Sequence, residues 1–311
     1  MMTRFLRRSG ILTGIAAFLA FAGTGLAEPA QIAEFQEGTG EAEFGVSARI
    51  ASDGPVVGPA SLQAIPGGLA VLDSVNARIV KLDTEGKVTA TVGLPAGSYT
   101  DLAALPDGRL WTIESNTRTA SIIIGEAVEE QFRLPPQDGH PIQIDGLIAL
   151  EDSLVVADYA TSRLYWYGFD GTPLKNATWP TSLGIAADAN GNVCFLGLDD
   201  ADCYSRFTRI DRNGRVTELI ASGPALDGAR LLGFLPDGRA VACGYASREP
   251  LARMLFAIEA DGRVTPFETI PTPGGLLFAQ RAGVVADRSA WLNLSPLHTS
   301  KVVFARFDLI Q

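Results

Sequence analysis

Histidine and cysteine are scarce in this chain. It has two histidines, His140 and His298, among 311 residues, so a zinc site of three imidazoles is excluded. Its three cysteines, Cys194, Cys203 and Cys243, form no Cys-x-x-Cys pair. No Gly-rich phosphate loop, His-Glu-x-x-His or Gly-x-Ser-x-Gly is present, though an enzyme built from dispersed loops needs none of these. Positive charge is short as well: 25 Lys and Arg face 35 Asp and Glu, a net charge of −10. A strongly acidic domain repels phosphate backbones, which argues against a nucleic-acid partner. Basic surfaces or cationic ligands are favoured weakly.

The longest leader-like apolar run, residues 11–22, is short for a membrane span. It follows Arg4, Arg7 and Arg8 and precedes the small-residue site Gly25-Leu26-Ala27. Residues 1–27 therefore read as a signal peptide. Its loss takes the net charge from −10 to −13, because it carries three arginines and no acid. The mature chain is expected to be periplasmic or secreted, without a membrane anchor, and monomeric. It should begin at Glu28; N-terminal sequencing that still reads through Arg7-Arg8 would overturn this. Sec-type and twin-arginine routes both remain open, and Leu6 and Gly10 fit the latter poorly.

What the chain has in abundance is turn residues: 33 Gly and 18 Pro. Leu105-Pro106-Asp107-Gly108-Arg109 recurs letter for letter as Leu235-Pro236-Asp237-Gly238-Arg239, with looser copies at residues 65–68, 150–153 and 188–191. Pro presets φ and Gly accepts φ > 0, so each copy between apolar runs reads as a tight hairpin. A second turn follows in each unit: Asp83-Thr84-Glu85-Gly86, Asp170-Gly171, Asp211-Arg212-Asn213-Gly214 and Asp261-Gly262. Two hairpins per unit of about 40 residues mean four strands per unit, the pattern of a β-propeller blade.

Five complete units and a three-strand sixth can be counted. The sixth is expected at residues 275–280, 290–294 and 301–309. The alternating segment 44–50 supplies its missing outer strand, which closes the ring and removes two sheet edges. Residues 28–43 read as a flexible acidic linker, and 44–311 as an all-β, six-bladed propeller of four-stranded blades. Cys194 and Cys243 fall on corresponding strands of neighbouring units, so a bridge between them and two buried free thiols are both open readings.

The stretch Leu69-Ala70-Val71-Leu72-Asp73-Ser74-Val75-Asn76-Ala77-Arg78-Ile79 resembles the NHL repeat. So does Leu154-Val155-Val156-Ala157-Asp158-Tyr159-Ala160-Thr161-Ser162-Arg163-Leu164. NHL and SMP-30/gluconolactonase-like propellers share a six-bladed layout. The resemblance implies the fold, which hosts lactonases, lyases, ligand binders and scaffolds. SMP-30-like enzymes carry a metal-binding Glu where this chain has Val57. Their Asn-Asp pair matches Thr100-Asp101, and their later Asn-Gly matches Asp145-Gly146. A divalent metal such as calcium would lack part of its oxygen set here.

In a propeller, the inner strands start on the face opposite the tight hairpins. That loop-rich face collects Asp101, Asp145, Ser182 and Arg230 at inner-strand starts, with His140 and His298 in nearby loops. The acidic loop Asp199-Asp200-Ala201-Asp202 lies there too, without EF-hand spacing. Binding of a small molecule or protein partner at this face is the expectation. The alternatives are a metal-dependent hydrolase, lactonase or lyase, and a purely structural interaction module. On this reading the double change Asp101→Ala with Asp145→Ala removes binding and spares the fold. Tyr159, Tyr165, Trp166 and Tyr167 are candidates either for a pocket wall or for packing between blades.

Overall fold

The structure is a computed structural model that describes residues 29–47, 57–105, 107–136, 143–158, 160–178, 182–197, 206–221, 228–248, 251–272, 276, 281–296 and 299–309. The leader segment, His140, His298, Tyr159, Cys203 and the 199–202 acidic loop lie outside the described residues. No described helix is long and apolar enough to cross a membrane.

Six antiparallel sheets form the six blades. Their inner strands are Ser61–Ile65, Tyr99–Ala104, Gly146–Ala149, Ser182–Ala187, Arg230–Phe234 and Gly283–Ala286, and each packs beside the next around a closed ring. The two identical pentapeptides close with the same backbone bonds. Leu105 N–H donates to the Arg109 carbonyl at 2.9 Å and Gly108 N–H to the Leu105 carbonyl at 2.9 Å; Leu235, Arg239 and Gly238 repeat both bonds at 2.9 Å. Gly108 and Gly238 take φ of 86° and 89°, which a side chain would strain. In both turns the Asp accepts from the backbone and side chain of the Arg two residues on. Those bonds, the backbone one foremost, hold the Asp107 and Asp237 carboxyls below the usual range.

The core lies between blades. Trp111 of blade two is fully buried against Phe132 and Phe169, in one cluster with Tyr165 and Tyr167 of blade three. Trp166 faces the other way, into the cluster shared with blade four. The described part of the aromatic run is thus blade packing and no pocket wall. Cys194 and Cys243 are both free and buried, so they are not bridged to each other. Burial pushes the Cys194 thiol up to about 12.

The ring closes through the N-terminal segment, but not the part expected. Gln31–Glu37 pairs antiparallel with Lys301–Asp308 as the outer strand of blade six, and the two-residue strand Glu43–Phe44 adds to it in parallel. The closing strand therefore lies within the segment read as a linker. Its charge hid it: an outer strand needs only one apolar face, and here Ala33 and Phe35 supply it between exposed glutamates. Phe35, Phe44 and Phe304 stack edge to face, with Phe35–Phe44 centroids 5.0 Å apart. Residues 48–50 of the expected strand lie outside the described residues.

The first NHL-like stretch explains the latch. Asp73, at the end of a second strand, accepts from Arg78 Nε at 2.9 Å, from Asn76 at 2.8 Å and from Gly45 N–H at 3.0 Å. Arg78 also donates to the Thr39 and Glu43 carbonyls, and Asn76 to the Gly38 carbonyl. The Asp…Arg pattern thus sews the N-terminal segment onto blade one, next to the blade that it completes. Glu114 holds the matching loop of blade two. Burial pushes its carboxyl up, but donors from Ser98, Thr117 and Asn116 outweigh this and hold it at about 2.

Blade six also starts later than expected. Its inner strand is Gly283–Ala286, turning at Asp287-Arg288; of the expected residues 275–280, all but Leu276 lie outside the described residues. The later start hides one residue from sequence reasoning: Arg281.

Candidate functional site

Arg281 enters blade six at the axis of the ring. Its backbone bridges to Ser61 of blade one, and its guanidinium crosses to Asp101 of blade two, Nη2 to Oδ2 at 2.8 Å and Nε to Oδ1 at 3.2 Å. Nη2 also donates to the Leu147 carbonyl of blade three at 2.7 Å, and Nη1 to the Ile185 carbonyl of blade four at 3.2 Å. Asp101 is 1% exposed. It accepts further bonds from Ser61 Oγ at 2.5 Å, Leu102 N–H at 2.9 Å and Leu147 N–H at 2.7 Å. One ion pair therefore ties five of the six blades together. Blades four and five meet by direct backbone contact: Gly184, at φ of 80°, leaves 2.5 Å between a hypothetical Cβ and the Leu231 carbonyl oxygen.

This arrangement changes the reading of Asp101. Its carboxylate lines the loop-face cavity, but its oxygens are taken up by one guanidinium, two amides and a hydroxyl. A divalent cation at that position would face Arg281, so the residues do not fit one there. Val57, at the metal-binding position of the SMP-30 pattern, instead bonds Ser47 Oγ through its N–H at 2.9 Å. Among the described residues, no three His, Cys, Asp or Glu cluster as a metal would need.

Above the ion pair, the loop-rich face opens into a narrow funnel. Asp145, Arg230, Arg253, Cys243 and Asn293 line it along with Asp101 and Arg281. Leu231, Leu232, Leu292 and Leu294 form its apolar wall. The structure thus brings together Asp101, Asp145 and Arg230 of the expected set. Ser182 opens the inner strand of blade four.

Arg253, Arg281, Cys243 and Asn293 were not found by sequence reasoning. Arg253 starts a third strand, where no motif marks it; it arrives through the unusually long hairpin Ala240–Arg248 with Leu251–Ile258. Its guanidinium lies over the Tyr245 ring at 5.3 Å. The Cys243 thiol is pushed up by burial, against the opposing pull of Arg253, which also hydrogen-bonds it, and of Arg230. A displaced thiol of this kind stays protonated and is a poor nucleophile.

Below the ion pair, a wider channel, open to solvent, leads to the hairpin face. Its charged rim is largely self-paired: Asp107 with Arg109, Glu151 with Arg212, and Asp188 with Arg209.

No family model matches this chain, and no curated protein does. Solved structures do. A member of the DUF4221 family from Bacteroides vulgatus is similar with a TM-score of 0.61 and 9% identity, over 91% of this chain and 99% of that one. Virginiamycin B lyase from Staphylococcus aureus is similar with a TM-score of 0.57 and 12% identity, over 89% and 99%. A streptogramin B lyase follows with a TM-score of 0.52 and 12% identity, over 88% and 96%. At such identities the likeness is one of fold: the chain is an all-β, six-bladed propeller.

Proposed function

We propose that this chain is an exported propeller of the NHL/SMP-30-like kind that binds a small molecule in the loop-face funnel. One observation carries the reading: polar groups on the two faces are used differently. On the hairpin face, Asp107, Asp170, Asp188, Asp211, Asp237 and Asp261 each cap their own turn. On the loop face, Arg230, Arg253, Arg281, Asp145 and Asn293 converge on one concave space. A concave space suits a small ligand better than it suits a flat protein surface. The Asp73…Arg78 and Asp158…Arg163 pairs of facing residues support the NHL-like kinship. The residue 1–27 pattern supports export.

A thermal-shift screen of small organic acids, amines and neutral compounds tests the reading. Some compounds are expected to raise the melting temperature of the native protein. Ala282→Trp, which fills the funnel, should remove those shifts, and Arg109→Gln on the hairpin face should keep them. Shifts that survive Ala282→Trp, or a screen with none, would overturn it.

A further inference from the structure

The funnel offers donors where a ligand would expect a mixture. Arg281 has five N–H groups and four are taken: Nε and one Nη2–H by Asp101, the other Nη2–H by the Leu147 carbonyl, and one Nη1–H by the Ile185 carbonyl. The fifth, on Nη1, has no partner among the described residues. Asn293 is 4% exposed. Its amide oxygen accepts from Ser295 N–H at 3.0 Å and Ser295 Oγ at 2.5 Å, and its Nδ2 reaches only the Pro59 carbonyl, at 3.5 Å. Its second N–H has no partner among the described residues. Arg253 is half-buried and has no carboxylate partner among the described residues, only the Tyr245 ring and the Cys243 thiol. An acceptor placed in the funnel could take a hydrogen bond from each of these three groups.

Charge points the same way. Of the lining arginines, Arg281 is paired with Asp101, whereas Arg253 faces no carboxylate among the described residues. A cationic ligand would meet unpaired guanidinium; a neutral one would leave Arg253 uncompensated. The four leucines beside the donors provide about one side chain's length of apolar wall.

We propose that the ligand of this funnel is a monocarboxylate with a short apolar body. The proposal rests on the funnel being a binding site at all. The carboxylate accepts from Arg253, Arg281 Nη1 and Asn293 Nδ2, and the apolar body lies on Leu231, Leu232, Leu292 and Leu294. Arg281 is the fixed member, held by Asp101, whereas Arg253 supplies the uncompensated charge.

Isothermal titration with hexanoate, hexanamide and hexylammonium tests this on the native protein. Hexanoate is expected to bind at least about tenfold more tightly than either analogue, as a charge-assisted bond predicts. Arg253→Gln should weaken hexanoate by about tenfold or more and leave hexanamide nearly unchanged. Should the amide or the amine bind as well as hexanoate, or Arg253→Gln bind hexanoate as the native protein does, the carboxylate assignment falls and the funnel stands as a ligand site. If none of the three binds, the carboxylate assignment falls, and the compound screen with Ala282→Trp alone decides whether the funnel is a ligand site.

Discussion

Replacing Arg281 by alanine is expected to destabilise the protein by about 3–5 kcal/mol, because it leaves the Asp101 carboxylate buried without its cation. In a domain of this size that lowers the melting temperature by on the order of 10 °C. The loss should exceed that of any hairpin-face ion pair: the Arg109–Asp107 pair is exposed and screened by solvent, so Arg109→Gln should leave stability nearly unchanged. Asp101→Ala should be as damaging as Arg281→Ala, since Ser61 Oγ, Leu147 N–H and the guanidinium all lose their acceptor. The double change Asp101→Asn with Arg281→Met, which removes both charges together, should recover part of the loss. Urea unfolding measures all four. A loss below about 1 kcal/mol for Arg281→Ala would show that the axis does not depend on the pair. The burial of Asp101 against Arg281 argues against the expectation that Asp101→Ala with Asp145→Ala spares the fold.

Removal of residues 29–45 should have a still larger effect. It strips the outer strand from blade six, uncovers Phe304 and Val302, and takes from Arg78 and Asn76 the Gly38, Thr39 and Glu43 carbonyls that they hold. An exposed apolar edge on the last blade invites edge-to-edge association. The truncated protein should lose its cooperative thermal transition or aggregate in size-exclusion chromatography. Phe44→Ala separates the latch from gross truncation. Phe44 is fully buried, and its loss should cost about 3–5 kcal/mol while the strand pairing survives. A truncated protein that melts as the full chain does would refute the closure.

Local chemistry was legible in the sequence. Leu-Pro-Asp-Gly-Arg dictates its hairpin wherever it stands, because φ at Pro and Gly and the Asp-to-backbone bonds involve only adjacent residues. Counting such turns gave the blades and their number, and the direction of each inner strand followed. Asp101, Asp145 and Arg230 could thus be placed on one face from strand order alone. The inner strand of blade six was missed because its turn at Asp287-Arg288 lacks Gly or Pro. The closing strand was missed because its apolar face is only Ala33 and Phe35. Tertiary structure alone decided what meets at the axis. Arg281 and Asp101 are 180 residues apart, and no local pattern links them. Their pairing exists only once six inner strands converge, and that convergence turns one expected ligand residue into the clasp of the ring. It also leaves Arg253, invisible in the sequence, as the cation without an acid partner among the described residues.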